Sequence, residues 1–366
     1  MNKDEKNYFE ALLNKKISSK KNINKLLKEK YIHNYSLTNI NKKNNTTDIY
    51  NFNYNYQRFD SSLTYNDFEK TFYNIKGISS KTIFTNCGMS SIFAVLFNLS
   101  KIGNYKITLA KDSYFETQQL LKKLNLNFGK KVTYLDTISD EFTFDCNDKN
   151  RIVIIDTTCY HPHKFKNLIE KIIQNNNLCI LLRSHVKLDM LGLETTFLGS
   201  ITFFIPNKIS KMRFTKTKKL IKNVIDFCGN TGIIATESNI FPILNDKTII
   251  ELNKKRIQRI TDNNNYFYNK IKQKRNIVLH QHNLFSTIIV NDCDVQKLIT
   301  FLKKESEKSK GLFFYSGSFG FDYIAVDTYI DLNNNKNTIR ISIGDVDKQT
   351  IDEFIKYIKG LDYDNI

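Results

Sequence analysis

From about residue 80, short apolar runs alternate with segments in which apolar residues recur at helical spacing. Predicted helices begin at Gly88, near Tyr114 and at His163. The apolar runs are KTIFTN, YKITLAK, KKVTYLD, RIVIIDTT, LCILLRS and ITFFIP. Such strands separated by helical crossovers are typical of a mainly parallel sheet with helices on both faces. The pattern therefore predicts an α/β fold for this part of the chain.

The pattern changes on either side of this region. Residues 1–50 are polar and rich in Lys and Asn, which predicts an N-terminal arm or helices, and residues 51–237 hold the α/β domain. A long charged and apolar segment predicts a connecting helix over 238–275. The order strand, helix, strand, strand, helix then predicts a smaller α+β domain over 276–366.

The chain carries 55 Lys and Arg against 37 Asp and Glu among its 366 residues, a formal net charge of +18. The excess is mostly Lys, is spread along the whole chain and accompanies abundant Asn and Ile, which indicates a compositional bias. Because one stretch of the chain is strongly basic, nucleic-acid binding is an alternative function. It comprises Lys208, Lys211, Arg213, Lys216, Lys218, Lys219 and Lys222. Because Met212, Phe214, Leu220 and Val224 would form its apolar face, an amphipathic helix with a solvated basic face is the ordinary explanation.

The six cysteines are scattered singly without a C-x-x-C pair, so we expect reduced thiols and no zinc site. His161 and His163 are read as loop residues rather than metal ligands. The first ten residues lack the apolar stretch of a signal peptide, and no apolar run reaches the length of a membrane span. We therefore expect a cytoplasmic protein without a metal, membrane or nucleic-acid partner.

Candidate chemistry lies where strands end, because ligands of parallel α/β sheets bind beyond the carboxyl ends of the strands. Gly88 opens a helix after the first strand, and a helix N-terminus suits a phosphate, although capping alone explains many such turns. Asp156 ends the most apolar strand, either as a turn cap or as the counter-ion of a protonated ligand nitrogen. Lys187 follows another apolar strand and is a candidate Schiff-base former. Arg340 lies between apolar residues, where an anionic partner is expected, either a structural one or a substrate carboxylate.

The order of these groups resembles that of pyridoxal-phosphate-dependent enzymes of fold type I, the aspartate-aminotransferase-like fold, and most of all their cysteine/methionine-metabolism (transsulfuration) group. The resemblance spans roughly residues 50–360. It is carried by Tyr56-Gln57-Arg58, Cys87-Gly88-Met89-Ser90-Ser91, Lys111-Asp112-Ser113-Tyr114, Ile155-Asp156-Thr157-Thr158, Ser184-His185-Val186-Lys187, Ser318-Phe319-Gly320 and Arg340-Ile341-Ser342-Ile343-Gly344. Each motif is weak alone, and the ordered set is fairly specific.

The resemblance implies a seven-stranded, mainly parallel sheet, pyridoxal 5'-phosphate as cofactor, and a role for each matching residue. Lys187 would carry the cofactor as a Schiff base and act on the substrate Cα proton, Asp156 would pair with the pyridine nitrogen, and Tyr114 would stack on the ring. The phosphate would be held by Gly88, Met89, Ser90, Ser184 and, from the neighbouring subunit of a homodimer or homotetramer, Tyr56 and Arg58. Arg340 and Ser318 would bind the substrate.

The implied function is β- or γ-elimination or replacement on an amino acid. An aminotransferase, or another enzyme acting at Cα, is the alternative within the superfamily. Three departures put the group's usual sulfur substrates in doubt: Val186 replaces the Thr before the lysine, Leu193 stands where the group has His, and the Pro of an N-P-T segment is absent. His185 is expected to face away from the cofactor, because neighbouring side chains in an extended segment point to opposite faces.

Overall fold

The computed structural model describes residues 68–360, apart from 103–106, 110–113, 126–131, 138–148, 150, 193–196, 207–210, 236–243, 245, 272–278, 291–293 and 332–335, and a few isolated positions before residue 15. Tyr56, Arg58, Leu193 and Lys208 therefore lie outside the described residues, as do the side chains of Lys211 and Arg213.

Six described strands form the first sheet in the order β1-β6-β5-β4-β3-β2. They are β1 (Ser79–Thr85), β2 (Ile107–Leu109), β3 (Val132–Asp136), β4 (Ile152–Asp156), β5 (Leu178–Ser184) and β6 (Gly199–Ile205). At the β1 edge, Ile234 forms a single antiparallel bridge with Thr85. The described sheet is thus one strand short of the seven that the resemblance implies, and the seventh strand stays a prediction.

Strands β2 to β5 are parallel, whereas β6 runs antiparallel between β5 and β1. The sheet is therefore mixed. A parallel neighbour requires a long crossover connection, usually a helix. The described part of the connection from β5 to β6 holds only a short 3-10 helix, Leu188–Met190, so the chain returns antiparallel.

Five described helices and one longer connecting helix accompany this sheet. They are α1 (Phe68–Phe72), α2 (Gly88–Ile102), α3 (Phe115–Lys123), α4 (Lys166–Gln174), α5 (Lys211–Thr231) and α6 (Lys247–Ile271). The predicted starts at Gly88 and near Tyr114 agree with α2 and α3. The helix expected from His163 is a 3-10 helix, Pro162–Phe165, that continues into α4. The predicted connecting helix contains α6.

Alternation along the strands gives the sheet two apolar faces. Val153 and Ile155 of β4 join one core cluster with α1, α4 and α6. Ile154 joins the other cluster, with α2, α3 and α5. Helices therefore cover both faces, as predicted. Ile154 and Asp156 share the α2 face, which sets the direction of the Asp156 carboxylate.

The second sheet has five described strands in the order β7-β8-β11-β10-β9, with α7 (Val295–Lys308) and α8 (Lys348–Lys359). The strands are β7 (Leu279–His282), β8 (Phe285–Val290), β9 (Phe314–Tyr315), β10 (Ala325–Asp331) and β11 (Lys336–Ser342). Ile339 and Ile341 pack with α7 and α8 in a third core cluster. The elements match the predicted α+β character, and the domain boundaries stay a prediction.

Helix α6 is tied to the second sheet by buried side-chain amides. Asn264 donates to the carbonyl of Ile343 at 2.8 Å, and Asn263 donates to the carbonyls of Gly344 and Val346 at 2.9 and 2.8 Å. The turn that follows Arg340 is thereby fastened to the connecting helix.

Helix α5 corrects one detail of the sequence analysis. Leu220 and Val224 are buried, but Met212 and Phe214 are 68% and 38% exposed. The two residues lie in the first turn of α5, beyond the part of the helix that α2 and the sheet cover. The apolar face is therefore shorter than the pattern predicted. Lys216, Lys218, Lys219 and Lys222 are exposed on this helix. Among the helices that the structure describes, none has the length and apolarity needed to cross a membrane.

Candidate active site

The C-terminal ends of β1, β4 and β5 bring together most of the predicted cofactor residues. β1 leads directly into Gly88, β4 ends at Asp156, and β5 ends at Ser184 with Lys187 three residues beyond. Because β4 and β5 are parallel neighbours, their carboxyl ends lie at the same edge of the sheet.

Gly88 approaches Ser184 so closely that no side chain fits between them. A Cβ placed on Gly88 would lie 2.7 Å from the Ser184 Cβ and 3.3 Å from its hydroxyl oxygen. The N-terminus of α2 therefore abuts the end of β5, and its backbone N–H groups and the Ser184 hydroxyl share one small region. Helix N-termini of this kind bind phosphate.

Small polar side chains fix the turn into α2. The Ser90 hydroxyl donates to the Asn86 side-chain carbonyl at 2.6 Å, and the Thr85 hydroxyl donates to the carbonyl of Cys87 at 2.8 Å. Met89 packs partly into the core beneath the helix, so its contribution to the turn is its backbone. These bonds hold the strand-to-helix turn in one geometry.

Asp156 is buried at the end of β4, with its carboxylate bound to the next turn. One oxygen accepts from the Thr158 amide at 3.0 Å and from its hydroxyl at 2.6 Å. The Thr158 hydroxyl also accepts from the amide of Ser184, which ties the two strand ends together. Burial raises the pKa of Asp156, while Thr158, Arg183 and Lys187 oppose that rise. A cationic neighbour would stabilise the ionised carboxylate.

Lys187 lies in the turn between β5 and the 3-10 helix. Its ammonium nitrogen is 4.5 Å from the centre of the Phe319 ring, a cation–π distance. Burial raises the pKa of both Asp156 and Cys159, and the charge of Lys187 opposes that rise, so the lysine is within electrostatic reach of the Asp156 carboxylate. The Phe319 contact also brings the Ser318-Phe319-Gly320 segment to this lysine.

Tyr114 precedes α3, and its backbone amide is bound by a carboxylate that was not predicted as a site residue. Its amide donates to Asp136 at 2.8 Å, and Asp136 is the register partner of Asp156 on the neighbouring strand. Burial raises the pKa of the Tyr114 hydroxyl, as do Glu116 and Asp156, whereas Arg340 lowers it. The signal for Asp136 was present in KKVTYLD, another apolar strand that ends in a carboxylate.

Arg340 is already engaged by a carboxylate of the chain. It donates to Asp327 twice, from Nε at 2.9 Å and from Nη2 at 2.5 Å. The two residues are direct cross-strand partners on β11 and β10. An anionic partner was expected for Arg340, either structural or a substrate carboxylate, and the resemblance implies the substrate. The structure shows a protein carboxylate on the guanidinium, and Asp327 was not foreseen.

Ser318 has a hydroxyl oxygen that is buried and lacks a hydrogen-bond partner among the described residues. Its φ is 122°, a region that residues with side chains rarely adopt. Strained backbone of this kind is concentrated at functional sites. Both observations agree with the substrate-binding role that the resemblance implies for Ser318.

A buried polar cluster lies on the other side of the lysine turn. Arg183 donates to both Asp189 oxygens, at 2.6 and 2.7 Å, and to the carbonyls of Thr157 and Tyr160. His185 contacts Asp189 through Nδ1 at 2.7 Å and Ser200 through Nε2 at 2.8 Å. The predicted orientation of His185 agrees with this placement, since the ring packs against Phe68, Phe72 and Phe84.

A family model described as Cys/Met metabolism PLP-dependent enzyme matches residues 24–176. Over these residues the chain is similar to the pyridoxal-phosphate-dependent Cys/Met metabolism enzymes. Within this range the resemblance inferred from the motifs is confirmed, together with the dependence on pyridoxal phosphate that the matching family has. The match ends before Lys187, so it does not cover the residues that follow β5.

Solved structures extend the fold likeness beyond the matched range. A putative O-acetylhomoserine (thiol)-lyase from Campylobacter jejuni, which contains a pyridoxyl-lysine monophosphate, is 16% identical. The similarity covers 79% of this chain and 83% of that chain, with a TM-score of 0.58. A cystathionine γ-lyase from Micromonospora echinospora is 12% identical, with coverage of 76% and 82% and a TM-score of 0.55. A search of curated protein sequences finds no significant match.

The residues present fit pyridoxal phosphate. The close approach of Gly88 to Ser184 places the N-terminus of α2 beside the Ser184 hydroxyl, and together they form a cradle that suits a phosphate. The buried Asp156 carboxylate suits a protonated pyridine nitrogen, and Lys187 lies within its electrostatic reach. Tyr56 and Arg58 fall inside the range matched by the Cys/Met metabolism family but outside the described residues.

Proposed function

We propose that the chain catalyses β- or γ-elimination or replacement on an amino acid with a leaving group on its side chain. The observation that carries the proposal is the convergence of Gly88, Ser184, Asp156 and Lys187 at one sheet edge, in the chain order of the Cys/Met metabolism group. When bound, pyridoxal phosphate supplies an electron sink for negative charge that develops at the substrate Cα.

Each residue at the sheet edge has a separate task in this proposal. Lys187 would hold the cofactor and, as a free amine, would accept the substrate Cα proton on Nζ. Asp156 holds a proton on the pyridine nitrogen, because the buried carboxylate gains from a cationic neighbour. Gly88, Met89 and Ser90 at the N-terminus of α2, with the Ser184 hydroxyl, bind the phosphate.

Residues from outside that edge orient the substrate and the ring. Tyr114, whose amide is fixed by Asp136, stacks on the cofactor ring. Ser318 supplies a buried hydroxyl on a strained backbone, and Arg340 contributes its positive charge beside Asp327. Fixing the substrate at these points would determine which bond at Cα breaks.

The visible absorption spectrum of the purified protein tests the cofactor assignment. We expect a yellow chromophore that borohydride removes and that Lys187→Ala lacks. Lys222→Ala is the matched control, because Lys222 is exposed on α5 and bound to Asp226. A wild-type protein that is colourless and takes up no added pyridoxal phosphate would overturn the proposal. The reaction type is then tested by assaying a panel of amino acids both for ketoacid release and for transfer of the amino group. Amino-group transfer without elimination would contradict the proposed reaction.

We also propose that the enzyme is a cytoplasmic homo-oligomer in which Tyr56 and Arg58 reach the phosphate of a neighbouring subunit. The resemblance supports this arrangement. Mixing inactive Lys187→Ala subunits with inactive Arg58→Ala subunits tests it, since a hybrid dimer regains one intact site. Random reassociation should restore about a quarter of wild-type activity. Restoration near zero from a mixture shown to form hybrids would contradict the shared site.

A further inference from the structure

The ring of Phe319 forms one wall of the proposed site, directly against the candidate Schiff-base lysine. The Lys187 ammonium nitrogen lies 4.5 Å from the ring centre, and only 3% of Phe319 is exposed. A cation over an aromatic face is attracted by the negative charge density of that face, and more strongly where water is excluded. The ring therefore stabilises the ammonium form of Lys187 relative to the neutral amine.

The backbone on both sides of Phe319 holds its ring against the lysine turn. Its two neighbours in the chain have positive φ values, 122° at Ser318 and 85° at Gly320. A Cβ on Gly320 would lie 2.8 Å from Leu188 Cδ2 and 3.9 Å from Lys187 Cβ, so this segment packs directly on the turn. The contact between the ring and the lysine is thus built into the backbone.

A stack of further rings supports Phe319. The Phe285 ring lies 6.0 Å from it and stacks on His282 at 4.2 Å. Nδ1 of His282 accepts from the Leu284 amide at 3.2 Å, and Nε2 donates to the carbonyl of Thr137 at 3.1 Å. This hydrogen bonding selects the neutral imidazole. The stack therefore anchors Phe319 to the first sheet without placing another charge beside it.

The other groups around Lys187 leave this role to the ring. Burial raises the pKa of the Cys159 thiol and of the Tyr114 hydroxyl, so both stay neutral. Asp156 favours the ammonium form, but in the proposed function its charge is balanced by the protonated pyridine nitrogen. The arginines on the adjoining elements each pair with a carboxylate. These pairs are Arg183–Asp189, Arg256–Asp322 and Arg340–Asp327. An uncharged ring, by contrast, stabilises a cation without needing a proton or a counter-ion.

Proton transfer at the substrate Cα produces the very species that the ring stabilises. The Cα–H bond breaks with its electron pair left on the substrate, and the Nζ lone pair of Lys187 forms the new N–H bond. The lysine thereby changes from neutral to cationic. We propose that Phe319 is a further catalytic residue, whose ring stabilises the ammonium form of Lys187 and so assists transfer of the Cα proton. The inference rests on the proposed function and adds a residue to the same site.

Competitive labelling measures the protonation of Lys187 without cofactor or turnover. The full-length protein, freed of cofactor, reacts briefly with acetic anhydride at a series of pH values, and mass spectrometry quantifies acetylation at Lys187. Only the neutral amine is acetylated. The attraction is removed by Phe319→Leu, and also by replacing Phe319 with trifluorophenylalanine, which keeps the ring but not the negative charge of its face. We expect both changes to lower the pH midpoint of acetylation by about 0.5–1 pH unit.

The loaded enzyme tests the catalytic part of the proposal. Exchange of the Cα hydrogen of L-alanine for deuterium in deuterated water, followed by NMR, reports proton transfer without a leaving group. Because the ammonium form would lose its stabilisation, we expect exchange to be about two- to fivefold slower in both Phe319 proteins.

Controls separate the attraction from packing and from failure of the proposed function. Phe214→Leu removes the 4.4 Å contact between Lys218 and Phe214 on α5 and should change neither readout. Thermal unfolding verifies that each protein is folded. A midpoint that moves in Phe319→Leu but not in the fluorinated protein would reduce the effect to packing and overturn the proposal, as would unchanged exchange in both. A wild type without the chromophore overturns the proposed function and the catalytic role together, while the labelling midpoints still report the contact itself.

Discussion

Arg183 and Asp189 form a bidentate ion pair directly beneath the turn that carries Lys187, and both side chains are closed to solvent. The same guanidinium donates to the carbonyls of Thr157 and Tyr160, which follow Asp156 in the chain. Arg183 therefore joins the loop after β4 to the loop after β5. It thereby also links Asp156 and Lys187, the two groups that would bind opposite ends of the cofactor ring.

The first prediction concerns the stability of this pair. Asp189→Asn leaves the Arg183 charge buried without its partner, which should cost about 3–5 kcal/mol of the free energy of unfolding. The double variant Arg183→Met with Asp189→Leu removes both charges and should cost far less, since apolar replacements of buried pairs are often neutral. Urea unfolding measures both. Equal losses in the single and double variants would contradict the explanation.

Acid should destabilise the wild type through the same carboxylate. Burial acts to raise the pKa of Asp189, but Arg183 and His185 outweigh it and hold the pKa well below its usual range. A depressed pKa contributes stability that is present above the unfolded-state pKa, about 4, and is lost as the pH falls towards the folded-state value. We expect the free energy of unfolding to decrease as the pH drops below about 4. The decrease should be less steep in the double variant, which lacks this carboxylate.

Gly88→Ala should impair cofactor binding more than folding. The added methyl would lie 2.7 Å from the Ser184 Cβ, so α2 must move away from β5. Overpacking of this kind costs about 1–3 kcal/mol, and we expect at least a tenfold weaker affinity for pyridoxal phosphate in an absorption titration. Gly360→Ala is the control, because its φ is −84° and its nearest neighbour would be 3.4 Å away. Unchanged affinity in Gly88→Ala would contradict the cradle.

Asp156→Asn should separate cofactor binding from catalysis. The phosphate contacts and Lys187 remain, so the chromophore should form. The proton on the pyridine nitrogen would lose its counter-ion, and we expect turnover to fall about 10²–10³-fold, as when a preorganised electrostatic group is removed. Full activity in a folded Asp156→Asn enzyme would exclude the proposed role of Asp156.

Asp136→Ala tests the newly identified support of Tyr114. The change removes the acceptor of the Tyr114 amide at the start of α3, a loss comparable with that of a helix cap, about 1 kcal/mol. Thermal unfolding should show this cost. Because Tyr114 would also lose its fixed position, turnover should fall more than in Asp294→Ala, which removes the cap of α7. Equal turnover in the two variants would limit Asp136 to a structural role.

Local pattern predicted much of the fold, since strand runs and helix starts depend on residues close together in the sequence. Gly88 begins α2 as expected, and Asp156 and Ser184 end their strands. The direction of β6 could not be predicted, because it depends on the short connection after Lys187 rather than on the apolar run itself. The alternation of ITFFIP reads the same in a parallel or an antiparallel strand.

Partnerships between distant residues were beyond the reach of the sequence. Arg340 and Asp327 meet through the register of β10 and β11, and Arg183 and Asp189 meet through a turn whose geometry no local pattern specifies. Arg340 was identified as a residue in need of an anion, and the nature of that anion became known only from the cross-strand pairing. The exposure of Met212 likewise depends on where the packing against α5 ends.

The pairing of β1 with β6 also has a consequence for biosynthesis. Thr82 and Thr202 are neighbours in the sheet but lie 120 residues apart in the chain. At about 5–20 residues per second, a ribosome takes roughly 6–24 s to supply the second strand after the first. Gly88 likewise leaves the ribosome well before Ser184. The nascent chain therefore spends that interval with an apolar β1 edge unpaired, and it becomes competent to take up its cofactor only when the last third of the first sheet has been translated.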